Sequence, residues 1–145
     1  MTESDLDRLV EIKDEEALRA VVAHWLPLLK LTDWDVDAHL VPECELEADQ
    51  VGVCCVDPPR RVAQIFLLRP ETRRERFKSG DGLRYYGLKS MEVNVVHECL
   101  HIWTKLCGLN ALGRQTSEGL AMEQMTEALA TAFVGLHSYF GRTAA

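Results

Sequence analysis

The run VNVVHECLHIW, residues 93–103, restricts the fold of this chain more than any other stretch. It is apolar apart from Asn94, His97, Glu98 and His101, and it lies between Ser90, a residue type that caps helix starts, and Gly108, a natural helix stop. The pattern predicts a helix over roughly 90–107. Val93, Val96, Leu100, Trp103 and Cys107 fall on one flank, and Val95, Cys99, Ile102 and Leu106 on another. A helix apolar on two flanks must be covered from both sides. The rest of the chain therefore has to build layers around it, and two imidazoles inside such a helix need partners.

Each residue of a helix advances about 100°, so His97 and His101 point together one turn apart while Glu98 is rotated by one position. Two imidazoles so placed can ligate one metal ion. Glu98 is set to reach an activated water rather than the metal. Zinc lowers the pKa of a bound water toward about 7, and a neighbouring carboxylate can take its proton during attack on a carbonyl. The competing reading is a pair of core or surface histidines satisfied by hydrogen bonds.

A catalytic zinc takes three protein ligands and leaves a fourth position open. The last predicted helix, about 117–140 with Ser117 as its candidate N-cap, holds the remaining candidates. Met122, Met125, Leu129, Phe133, Leu136 and Phe140 form its main apolar stripe. Glu123 and Glu127 share a different stripe with Leu120, Ala130, Val134 and His137. One glutamate can ligate while the other accepts a ring N–H from a ligand histidine. Glu123, near the helix start, suits a hairpin that returns toward His101 and is the favoured ligand. Glu127 is its rival and His137 a more distant choice, and both glutamates also fit an ordinary solvated helix face.

Around these helices the 145 residues read as one α+β domain spanning 1–145. Asp14 is a candidate N-cap for EEALRAVVAHWLPLLKL, with Pro27 expected to kink or end that helix near Leu26. Three strand patterns follow at 34–41, 51–57 and 61–68. Their short connections predict a small antiparallel or mixed sheet. Residues 69–89 are polar and carry Gly80, Gly82 and Gly87, with a short helical piece in ETRRERFK.

Net charge is −7, yet residues 60–89 carry nine Lys/Arg against three acids. The acidic whole argues against nucleic-acid binding, and the basic segment suits an acidic partner or a plain solvated surface. Five cysteines without a C-x-x-C pair read as reduced thiols. No apolar run reaches the roughly 20 residues of a membrane span, and the acidic start lacks the features of a signal peptide, so a cytoplasmic protein is expected.

VVHECLHIW followed by EQMTEALA resembles the gluzincin metallopeptidases, in which H-E-x-x-H is joined by a downstream helical E-x-x-x-[E/D]. The compact layout is also similar to small single-domain zincins of phages and mobile elements, relatives of immunity-region peptidases among them. The resemblance covers about 91–131. It implies a zincin-like fold and a Zn2+ ion held by His97, His101 and Glu123. It implies Glu98 as general base and Glu127 as the support of a histidine. The implied activity is hydrolysis of a protein or peptide, with the substrate extended along a strand edge and residues 69–89 as a lid or a selector of acidic substrates. The alternative it leaves is a zincin-fold regulatory module with structural zinc and little peptidase activity. Thr126 departs from the small residue usual in the second motif. The group that polarises the substrate carbonyl is open among Tyr85, Tyr86 and His137.

Overall fold

The computed structural model describes residues 12–47, 50–78, 90–108 and 116–143. Asp14 starts the first helix as expected: its carboxylate accepts the Ala17 N–H at 2.7 Å, with Glu15 and Glu16 in the first turn. This helix, α1, spans Glu15–Leu28 and buries Leu18, Val22 and Trp25, one stripe at helical spacing. Pro27 does not end it at Leu26. A proline in the last turn forfeits only its own N–H, and the turn closes beyond it as the Leu29 and Lys30 amides reach the Trp25 and Pro27 carbonyls.

Strands β1 (Asp35–Val41), β2 (Gly52–Asp57) and β3 (Val62–Leu68) form one mixed sheet in the order β1-β3-β2. β3 lies in the centre, parallel to β1 and antiparallel to β2. The alternation seen in the sequence decides the faces. Val36, Ala38 and Leu40, with Cys54, Val56, Ala63, Ile65 and Leu67, belong to the core, while Asp35, Asp37, Cys55 and Gln64 are exposed. Helix α2, Pro70–Lys78, realises the short helical piece. Its basic surroundings are partly engaged inside the chain. Arg73 is buried, and Arg76 donates to the Gln50 carbonyl at 2.8 Å and to Glu43 at 2.7 Å. Residues 79–89, with Tyr85 and Tyr86, lie outside the described residues.

Helix α3, Met91–Leu106, packs against β2, β3, α1 and the last helix, α4 (Ser117–Thr143), and so occupies the middle of the molecule. Ser90 caps its start by accepting the Val93 N–H at 3.3 Å, and Gly108 follows its end at φ 75°, a conformation glycine adopts without strain. Of its two flanks, Trp103, Leu106 and Cys107 near the end are exposed and the others are buried.

Helix α4, Ser117–Thr143, corrects one expectation. Its cap is Thr116, whose hydroxyl accepts the Gly119 N–H at 3.0 Å, and Ser117 is already helical. Of its main apolar stripe Met122 is buried, and Met125, Leu129, Phe133 and Leu136 are exposed. The face turned to α3 carries Met122, Thr126 and Ala130, with Glu123, Glu127 and Val134 half-buried beside them. The two carboxylates face inward because the histidines of α3 pair with them there, which removes the cost of burying them alone. No described helix is long and apolar enough to cross a membrane.

Candidate metal centre

The helical spacing of α3 puts His97 Nε2 and His101 Nε2 3.0 Å apart. Glu123 of α4 completes the group, one carboxylate oxygen 3.2 Å from His97 Nε2 and the other 3.2 Å from His101 Nε2. Glu127, one turn further along α4, lies behind the pair, its Oε2 2.7 Å from His97 Nδ1. The structure thus brings together His97, His101, Glu123 and Glu127, with Glu123 on the ring nitrogens that face each other and Glu127 on the far nitrogen of His97. His137 is elsewhere. Its Nε2 lies 2.8 Å from His24 Nε2 of α1, and its ring packs edge-on to Trp25 at 5.0 Å.

The His101 imidazole is held in the tautomer that frees Nε2. The Thr104 hydroxyl donates to the His101 carbonyl at 3.1 Å, so at 3.2 Å it can only accept from His101 Nδ1. Glu127 places its carboxylate charge against the His97 ring, Oε2 2.7 Å from Nδ1. Thr104 is a supporting residue that the sequence reading passed over, although its position three residues after His101 places it one turn along the same face.

The donor set fits a divalent metal. Four ligands at about 2.0–2.1 Å around tetrahedral zinc stand about 3.3 Å apart. The Nε2 atoms of His97 and His101, 3.0 Å apart, approach that spacing, and each has a different oxygen of the Glu123 carboxylate 3.2 Å away. Two imidazoles and one carboxylate are a catalytic zinc set, which leaves one direction open. Glu98 is a second carboxylate within reach: one ligand-type atom each of His97, Glu98 and His101 lie within 4.8 Å of one another, so these three residues could also hold a metal ion.

Electrostatics separates the roles of the glutamates. Burial pushes the Glu98 carboxyl above the usual range, with His97 and His101 pulling it back and Glu123 and Glu127 adding to the rise. Hydrogen bonds from His101 and His97 hold Glu123 well below the usual range. Burial works against charge on His97, but the hydrogen bonds to Glu123 and Glu127 outweigh it and raise the metal-free imidazole to about 10.

Glu98 faces the sheet. A Cβ on Gly52, the first residue of β2, would stand 3.2 Å from Glu98 Oε1 and 2.7 Å from Leu67 Cδ2, so only glycine fits at this crossing. Cys54 lies on the same strand, its thiol raised first by burial and then by the charge of Glu98. β2 is an edge of the sheet. Because Val51 accepts from the Leu68 amide, the alternation of an antiparallel ladder leaves the backbone groups of Gly52, Cys54 and Val56 directed away from β3. Among the described residues this strand edge has no partner, and Gly52 on it stands against the carboxylate of Glu98. Asn94, one turn before His97 on α3, is buried with its carboxamide oxygen unpartnered among the described residues.

Compared with protein-family models, with curated proteins and with solved structures, the chain matches none.

Proposed function

We propose that this protein is a zinc-dependent peptidase of the gluzincin type, built on a zincin-like fold. The observation that carries this reading is the convergence of His97 Nε2, His101 Nε2 and the Glu123 carboxylate at 3.0–3.2 Å, with a Glu98 oxygen within 4.8 Å of a nitrogen of each histidine. His97, His101 and Glu123 would hold the zinc. When bound, the ion supplies Lewis acidity to a water and to the substrate carbonyl.

The chain does the rest. Glu98 takes the proton of the attacking water, and its raised affinity for protons suits it to pass that proton to the leaving amine. Glu127 and Thr104 hold the two rings in register. The edge of β2, unpaired among the described residues, offers Gly52, Cys54 and Val56 to an extended peptide, which would pair as an added strand and bring its carbonyl to Glu98.

Metal analysis together with hydrolysis of a pooled library of quenched-fluorescent peptides tests the reading. The wild type is expected to hold one zinc per chain, and His97→Ala to lose it. Glu98→Gln keeps the zinc and loses hydrolysis by about 10²–10⁴-fold, the usual contribution of a general base. Zinc retained in His97→Ala, or lost in Glu98→Gln, would overturn the assignment of ligands and base.

A further inference from the structure

From Gly119 to Ser138, helix α4 carries only two Asp, Glu, Lys or Arg residues, Glu123 and Glu127, and both turn inward to the histidines of α3. What is left outside is an uncharged face. On it Met125, Leu129 and Leu136 are 48 %, 40 % and 54 % exposed. Between and beside them lie exposed Ala121, Ala128, Ala132 and Gly135, with Gln124 and Thr131 as the only polar members. In a chain that is 27 % charged, the solvated face of a surface helix ordinarily carries charge. Here the face opposite the core has none.

We infer that this face of α4 is the contact between two copies of the chain, packed about a two-fold axis. Three features favour a second copy as occupant. The first is charge. Two chains of net charge −7 repel, and an uncharged face is the surface on which they can meet with no like-charge contact. The second is shape. Ala121, Ala128, Ala132 and Gly135 recur at spacings of seven, four and three and line one stripe, with Met125, Leu129 and Leu136 in the neighbouring row. In a two-fold pair the large row of each helix can seat on the small row of the other, and the missing side chains let the axes come close.

The third is area. Large apolar side chains present roughly 150–200 Å² each, so the exposed shares of Met125, Leu129 and Leu136 leave about 250 Å² per face and about 500 Å² from both. The exposed alanines, Gly135, Gln124 and Thr131 bring the total to about the 1,000 Å² of a specific interface. A membrane surface is a poorer occupant, because helices that lie on bilayers flank their apolar face with Lys and Arg. α4 offers none between Gly119 and Ser138.

Sedimentation equilibrium on the full chain tests this independently of any metal chemistry. Over about 10–100 µM the wild type is expected at twice the chain mass. Leu129→Glu and, separately, Ala132→Glu should weaken association at least about 100-fold and give the single-chain mass in that range. Both substitutions sit at exposed positions, and unchanged far-ultraviolet circular dichroism shows that each variant folds. A wild type that stays monomeric at about 100 µM overturns the inference, whether or not it co-floats with phospholipid vesicles. So does a dimer that survives both substitutions.

Discussion

Glu127 sets the chemistry of His97 from behind. With Oε2 2.7 Å from Nδ1, it sets a carboxylate charge against the ring, and with Glu123 it holds the metal-free ring protonated up to a pH near 10. A metal can use Nε2 only after that proton leaves. Zinc uptake at pH 8 should therefore release about one proton, and apparent affinity should rise about tenfold per pH unit between the ordinary histidine value and 10. Calorimetry in two buffers of different ionisation enthalpy counts the proton. In Glu127→Gln one of the two carboxylates that hold the proton is gone, so both the released proton at pH 8 and the slope should fall by at least about half. Uptake without proton release in the wild type would mean that His97 is neutral in the free protein, and that the carboxylates do not act on it as described.

At the scale of elements, the parts of the site within α3 could be read directly because an α-helix converts sequence spacing into direction. His97 and His101 at a separation of four had to face together, and Ser90 and Gly108 marked the ends of their helix. Glu123 and Glu127 were legible as a pair for the same reason. The orientation of α4 followed from that pair and not from hydrophobicity, which alone would favour burying Met125, Leu129 and Leu136; the pairing of the carboxylates with the histidines of another element turns the helix. The approach of Gly52 to Glu98 was hidden, since it depends on β2 being an edge and on a register with β3 that no local pattern states. The contact gives a prediction. In Gly52→Ala the new methyl meets Leu67 Cδ2 at 2.7 Å and Glu98 Oε1 at 3.2 Å. Leu67 is fully buried and cannot yield freely, so urea titration should show a loss of about 1–3 kcal/mol, the usual cost of overpacking. Peptide hydrolysis should fall with zinc content unchanged, because Glu98 is displaced and the ligands are not. An unaltered stability and rate would show that the strand has room to shift.

Across the whole molecule, the site lies where the sheet, α3 and α4 meet, so its protonation bears on the stability of the entire fold. In the metal-free protein Glu98, Glu123 and Glu127 are balanced by a protonated His97. A histidine raised from an ordinary 6.5 to about 10 contributes stability that is fully present below 6.5 and is lost as pH climbs through 10. Glu98 acts in the same sense, since a carboxyl raised by burial makes the fold less stable as rising pH ionises it. Glu123, held low, adds stability that is already complete well below neutrality and does not change over this range. The metal-free protein should therefore weaken between pH 6.5 and 9. Zinc reverses the dependence, because it supplies the positive charge that the departing proton removes and binds more tightly as that proton is lost. At a free zinc concentration about a thousand times its dissociation constant, the stabilisation is about 4 kcal/mol. For a chain of this length that is about 8–16 °C in melting temperature. Thermal scans at both pH values, each with zinc and with chelator, read the effect as a gap between paired melting temperatures. The gap should be wider at pH 9 than at pH 6.5. A gap that narrows with rising pH would show that the ion does not replace the proton of His97, and the ion would then have to be held by a different set of residues.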